Sequence, residues 1–150
     1  MKKFLILLTS IVLLTGCAAS GPHYSHEVPA KDEALIYVYR EWRLANGGGS
    51  PTIALNGRKM DDLKNGSFLQ FRVAPGRHKV EQLTSIWDWI FEAEPVVVNA
   101  DAGEVYYVQL ETDATMSFNG VEMKKRSTLS FEEVPASVAL PKLKNLKAVH

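Results

Sequence analysis

Ala34-Leu35-Ile36-Tyr37-Val38-Tyr39-Arg40 decides the fold. It is short, β-branched and aromatic, which suits a strand better than a helix. Alternation along a strand sends odd and even residues to opposite faces. Here Leu35, Tyr37 and Tyr39 oppose Ala34, Ile36 and Val38, so both faces are apolar. A strand with two apolar faces belongs in the centre of a sheet covered on both sides.

The segments that follow are also short and are separated by turn residues. Asn46-Gly-Gly-Gly-Ser-Pro51 interrupts any regular element. Thr52-Ile-Ala-Leu-Asn-Gly-Arg-Lys-Met60 has the form of a hairpin, because Asn56-Gly57 suits a two-residue turn with positive φ at both positions. Ser67-Phe-Leu-Gln-Phe-Arg-Val73 alternates, with Leu69, Phe71 and Val73 on one face. Ala74-Pro75-Gly76-Arg77 predicts a type II turn, returning the chain as His78-Lys-Val-Glu-Gln-Leu83.

Pro95-Val-Val-Val-Asn99 and Glu104-Val-Tyr-Tyr-Val-Gln-Leu-Glu111 are two further strands, the second with Tyr106, Val108 and Leu110 on one face. Asn119-Gly120 predicts a hairpin between 116–118 and 121–123, and Thr128-Leu-Ser-Phe-Glu-Glu-Val134 closes the sheet. The expectation is all-β: a small antiparallel β-sandwich of the immunoglobulin or prealbumin kind, over residues 34–134.

The chain has 150 residues, enough for one domain. Lys+Arg and Asp+Glu are each 17, so the formal charge is zero, and a nucleic-acid partner is not expected. The single cysteine excludes an internal disulfide and a multi-cysteine metal site.

The N-terminus has a different logic. Lys2 and Lys3 precede an eleven-residue, mostly apolar stretch from Phe4 to Leu14, too short for the roughly 20 residues a bilayer span needs. Leu14-Thr15-Gly16-Cys17 resembles the lipobox of bacterial lipoproteins. The resemblance implies a signal peptide over 1–16, cleavage before Cys17, and acyl chains on Cys17 that hold the protein at a membrane. Two or more chains give stable attachment where one gives only a marginal hold. A conventional cleavage near Ala18-Ala19 is the rival and leaves the lone cysteine unexplained. Ala18 is not Asp, so the family-level expectation in a two-membrane bacterium is the outer membrane. Loss of Lys2 and Lys3 with the leader leaves 15 basic and 17 acidic residues, a net charge of −2. Residues 17–33 are polar with Gly21, Pro22 and Pro29 and no apolar period, the pattern of a flexible tether.

Four stretches together resemble the bacterial lipoprotein family called domain of unknown function 2846. They are Ala34-Leu-Ile-Tyr-Val-Tyr-Arg40, Ile53-Ala-Leu-Asn-Gly57, Val73-Ala-Pro-Gly-Arg-His-Lys-Val80 and Ala102-Gly-Glu-Val-Tyr-Tyr-Val108. The third is similar to the PEGA type of surface β-sandwich. The resemblance implies an envelope β-sandwich with no established enzymatic activity, no catalytic residues to carry over and no cofactor.

Candidate chemistry is sparse. His23, His26 and Glu27 could contribute to a metal site, but they fall in the expected tether, so no metal is assigned. His78 follows the Pro-Gly turn; an envelope hydrolase would need a hydroxyl or carboxylate beside it, and the alternative is a histidine that stabilises the turn. Asp61-Asp62 and Glu132-Glu133 point to opposite faces as strand neighbours and are expected at the surface.

Ser85-Ile-Trp-Asp-Trp-Ile-Phe91 is the least ordinary segment. As a strand it would place Trp87, Trp89 and Phe91 on one face, either filling the core or forming a contact surface for an envelope protein, a cell-wall partner or lipid headgroups. The basic tail 135–150 contains no acid, and Leu140, Leu143 and Leu146 recur with Lys142, Lys144 and Lys147 between them. It is either a short amphipathic helix starting at Pro141 or a terminal segment packed on the sandwich or frayed. The functional expectation is a lipid-anchored, non-enzymatic binding or scaffold module. A hydrolase using His78 and a purely structural outer-membrane lipoprotein are the alternatives.

Overall fold

A computed structural model describes residues 19–44, 49–85, 92–118 and 123–150. The strands are β1 (Ala34–Arg40), β2 (Thr52–Leu55), β3 (Arg58–Asp62), β4 (Ser67–Val73), β5 (Gly76–Leu83), β6 (Val96–Ala100), β7 (Val105–Phe118), β8 (Met123–Val134) and β9 (Lys147–Ala148). One helix, α1 (Ala136–Leu143), lies between β8 and β9. The fold is an all-β sandwich of two sheets that do not close on each other. A five-stranded sheet has the order β8-β7-β1-β4-β9, and a four-stranded sheet has the order β3-β2-β5-β6.

β1 occupies the centre of the larger sheet, and all seven of its residues are buried, as its two apolar faces required. Ala34, Ile36 and Val38 face the smaller sheet and pack with Ile53, Leu69, Phe71, Val80, Val98, Val108 and Leu110. Leu35, Tyr37 and Tyr39 face outward, where Phe68, Tyr107, Ala139, Leu143 and Leu146 cover them. The outer face of the larger sheet is therefore a second core, roofed by the C-terminal segment.

Several expectations change in detail. Most ladders are antiparallel, but β1 pairs with β7, and β4 with β9, in parallel. Asn56 and Gly57 take φ 53° and 79°, as the two-residue turn demanded. The Pro75-Gly76 turn is not a hairpin within one sheet. Gly76, at φ 138°, turns a corner that carries the chain from β4 in one sheet to β5 in the other. The two strands expected on either side of 112–115 are continuous in β7, whose Phe118 pairs with Met123 of β8. The turn residues Asn119 and Gly120 lie outside the described residues.

The C-terminal helix begins at Ala136, not at Pro141. Pro141 is the sixth of its eight residues, where its missing N–H removes the one bond to the Ser137 carbonyl. Burial of Ala139 and Leu143 on one face offsets that loss. Residues 21–33 do not behave as the tether their composition suggested. Gly21 and Tyr24 donate backbone hydrogen bonds to Ala148 and Leu146 (both 3.1 Å), and Ala148 donates to Pro22 (2.8 Å). The physical reason is the Tyr24 ring, which meets Tyr37 and Phe68 edge-on at 5.2 and 5.8 Å and belongs to the outer core.

Candidate functional site

Strand register divides the sandwich into two ends. Arg40, the end of β1, pairs with Ser67, the start of β4, and Ser67 also lies beside Lys147 of β9. Thr52 pairs with Leu83 and with Asp62. This end therefore gathers residues 41–44 and 63–66, the close of β5 with Glu92 and Glu94 beside it, β9, the first described residues of the chain, and the distal part of the β7–β8 pair, which runs on past Arg40 from Glu111 to Phe118. The opposite end carries the Asn56-Gly57 turn, the Pro75-Gly76 corner and the turn at 101–103.

At the first end, a shallow depression of about 340 Å³ is lined by Ala19, His23, Trp42, Asn65, Gly66, Asn145, Leu146 and Lys147. Asn65 fixes its rim: its Oδ1 accepts from the Arg43 amide (2.9 Å) and its Nδ2 donates to the Arg43 carbonyl (2.8 Å). Gly66, at φ 72°, lies so close beneath Trp42 that a Cβ there would sit 3.1 Å from the tryptophan Cβ.

A polar chain holds the same loop from the other side. Tyr39 Oη donates to Gln109 Oε1 (2.9 Å), Gln109 Nε2 to Glu111 Oε2 (2.8 Å), and Arg43 to Glu111 Oε1 (2.9 Å). Glu41 joins Arg43 at 3.6 Å and Lys142 of α1 at 3.0 Å. Burial, together with the charges of Glu41 and Glu111, pushes the Tyr39 phenol above its usual range. Arg40, only 1% exposed, donates to the Gly49 carbonyl (2.6 Å). A residue read only as the end of a strand is thus a buried anchor for the Gly49 carbonyl.

A wider cleft of about 370 Å³ lies between β3 and the β4–β9 edge, lined by Met60, Asp61, Phe68, Phe71, Val149 and His150 among others. His150 pairs with Asp61 across it. Asp62 instead accepts from Thr52 Oγ1 (2.5 Å). The acidic pair is thus half-buried and engaged in structure, where solvated surface was expected.

Cys17, Trp87, Trp89 and Phe91 lie outside the described residues. Their flanks are placed: Leu83, 38% exposed, ends β5, and Glu81, Glu92 and Glu94 rim a cleft of about 260 Å³ at the base of the 84–95 connection. That connection leads into β6, the outer strand of the smaller sheet, whose described ladder partner is β5 alone.

His78 lies at the opposite end. Its Nε2 contacts the Ala74 carbonyl at 2.7 Å, and its Nδ1 contacts Asn56 Nδ2 at 3.0 Å. A carbonyl can only accept, so Nε2 carries the proton and Nδ1 accepts from Asn56. Asn56 Oδ1 in turn accepts from the Lys79 amide (2.9 Å). Both ring nitrogens are engaged by the turn and the corner, not by the hydroxyl or carboxylate that a hydrolase requires. His23 bridges to Lys147 at the first end and His26 is exposed, while Glu27 accepts from Gln70 (2.9 Å) and pairs with Arg72 (2.5 Å).

Sequence reasoning missed the outer aromatic cluster of Tyr24, Tyr37, Phe68 and Tyr107. Tyr37 and Tyr107 stack at 5.8 Å with 13° between planes. Burial and the nearby Glu27 charge push the Tyr37 phenol up to about 12, and burial raises Tyr24 further. The available signal was a lone tyrosine in an otherwise polar segment, three residues after Gly21.

The family model described as protein of unknown function (DUF2846) matches residues 30–121. That span includes all four resembling stretches. The prokaryotic membrane lipoprotein lipid attachment site matches residues 1–18. No curated protein and no solved structure matches the chain.

Proposed function

The chain belongs to the DUF2846 family and is a bacterial lipoprotein, and from that premise we propose that its domain is a non-enzymatic binding module that captures an envelope protein by strand addition at β6. The four outer strands differ in how they are protected. Exposed edges invite pairing with other chains, and charged side chains or short length blunt them. β3 carries Arg58, Lys59, Asp61 and Asp62; β8 carries Glu132 and Glu133; β9 has two residues. β6 reads Val96-Val97-Val98-Asn99-Ala100, with no charge and with Val97 36% exposed. This uncharged edge carries the proposal. An added strand would gain main-chain hydrogen bonds from β6 and selectivity from its side-chain contacts.

The connection bearing Trp87, Trp89 and Phe91 springs from the same strand and would extend the contact. The acidic rim at Glu81, Glu92 and Glu94 favours a partner that is basic next to its apolar strand. Ala18 after Cys17 favours the outer membrane in a two-membrane cell, with the domain in the periplasm or at the surface. A cell-wall polymer in place of a protein is an outcome that the following test separates.

A photo-crosslinking amino acid at Val97, in living cells, is expected to yield one dominant protein adduct. The same group at Lys59 on β3 is expected to yield none. Trp87→Ala and Trp89→Ala should weaken capture while leaving the melting temperature unchanged. Adducts that are absent at Val97, or identical at both positions, overturn the proposal.

A further inference from the structure

Ala19 lines the depression beside Trp42 and Lys147. Cys17, the lipid attachment residue, precedes it by two residues, a reach of about 7 Å at most. Beyond Ala19 there is no slack to add, because residues 21–24 are hydrogen-bonded to the 146–148 segment. The end of the sandwich that carries Ala19 is therefore held close to the headgroups in which the acyl chains are buried.

The surface at that end suits such a place. Trp42 is 64% exposed and Leu44 is 86% exposed, two large apolar side chains on a loop pinned by Asn65 and by the Arg43–Glu111 pair. Tryptophan, with an apolar body and a polar N–H, is suited to the membrane–water interface. Lys147 lines the same depression as Trp42, Lys144 is exposed three residues before it, and the whole of 135–150 contains no acid. The acid next to Trp42, Glu41, is engaged by Lys142 and Arg43, and the exposed acids of this end, Glu92 and Glu94, flank β5 and β6 of the other sheet. The opposite end presents Asn56-Gly57, Ala74-Pro75-Gly76-Arg77 and Asp101-Ala102-Gly103, which offer no large apolar side chain.

We propose that the domain lies against its own bilayer, with Trp42 and Leu44 seated among the headgroups and Lys144 and Lys147 facing anionic lipid. The proposal rests on the lipid anchor and is independent of the β6 contact. It gives the lipoprotein a fixed orientation, with the Asn56-Gly57 and Pro75-Gly76 turns pointing away from the membrane.

The test uses the full lipidated protein in vesicles of phosphatidylethanolamine and phosphatidylglycerol. The Cys17 sulfur is blocked by lipid, so Leu44→Cys supplies a single free thiol for an environment-sensitive fluorophore. Arg77→Cys supplies the control at the opposite end. Both residues are exposed, so labelling should leave the melting temperature unchanged. The residue 44 probe is expected to be quenched about twofold or more by lipids carrying a spin label near the headgroup, with the residue 77 probe unaffected. Trp42→Ser and the Lys144→Glu/Lys147→Glu pair should each reduce that quenching.

Floated vesicles in which aqueous iodide reaches residues 44 and 77 equally overturn the docking. A residue 44 probe shielded only at high protein density, without lipid quenching, assigns the patch to a second copy and also overturns it. Failure to float refutes the anchor itself, and the docking falls with it; flotation thus separates the two failures.

Discussion

Replacing Tyr24 with alanine tests whether the chain between anchor and sandwich belongs to the folded body. The ring makes edge-on contacts at 5.2 Å with Tyr37 and at 5.8 Å with Phe68. Such aromatic pairs contribute roughly 0.5–1.5 kcal/mol each beyond the area they bury. Truncating a fully buried aromatic costs about 3–5 kcal/mol, and a half-buried ring should lose about 2–3. For a domain of this size that lowers the melting temperature by roughly 6–10 °C. A side chain on a free tether would change stability by no more than about 0.5 kcal/mol. Tyr24→Phe separates packing from polarity. The Tyr24 hydroxyl is buried with the Tyr107 side chain as its polar neighbour, so its removal should change stability by no more than about 1 kcal/mol. The assay is thermal unfolding of the detergent-solubilised lipoprotein by circular dichroism, with hydrogen exchange of the Gly21 and Tyr24 amides. A Tyr24→Ala protein that melts with the wild type, with both amides exchanging freely, would refute the reasoning.

Leu143→Ala should destabilise the domain by about 3 kcal/mol in the same melts, because Leu143 is fully buried in the outer core; an unchanged melt would return 135–150 to the status of a loose tail. Alkaline titration should show Tyr24, Tyr37 and Tyr39 ionising late. Their folded-state pKa values are raised, so the stability they contribute is complete below the unfolded value of about 10 and is lost as pH climbs toward the folded values, about 12 for Tyr37. All five tyrosines titrating reversibly near pH 10 in an intact fold, followed by tyrosinate absorbance, would contradict this. Cys17→Ala should leave an unprocessed, unlipidated precursor; a mature wild-type N-terminus without lipid, seen by mass spectrometry, would refute the anchor.

The fold was legible where alternation and turn chemistry agree. β1 was predicted to the residue because two apolar faces have one comfortable place in a sandwich, and the Asn56-Gly57 hairpin because few dipeptides accept two positive φ angles. The corner at Gly76 was not legible. A Pro-Gly pair specifies a reversal of the chain, and whether the next strand joins the same sheet depends on what its side chains meet. The N-terminal segment was misread for a related reason. Polar composition with scattered prolines describes a linker, yet one tyrosine suffices to fasten 21–24 once an aromatic sheet face exists to receive it; at the C-terminus packing on the sandwich was among the readings, and the helix start at Ala136 was not. At the site, Cys17 was legible because a targeting signal is read locally. Trp42 was not, since its significance comes from the strand register that places it beside Ala19.

The two ends of the chain are best understood together. Residues 21–24 bond to the 146–148 segment, β9 pairs with β4 through Ser67 and Phe68, and the Val149 amide donates to the Phe68 carbonyl at 3.2 Å. Any pull on the lipid therefore passes from Gly21 into the C-terminal segment and from there into β4, which lies beside the central strand. A bilayer anchor attached to a free chain would transmit neither orientation nor load. Attached through this bracket, it does both, and in the docking proposed above the acid-free stretch 142–147 reaches the end nearest the membrane, where a carboxylate side chain would oppose anionic headgroups.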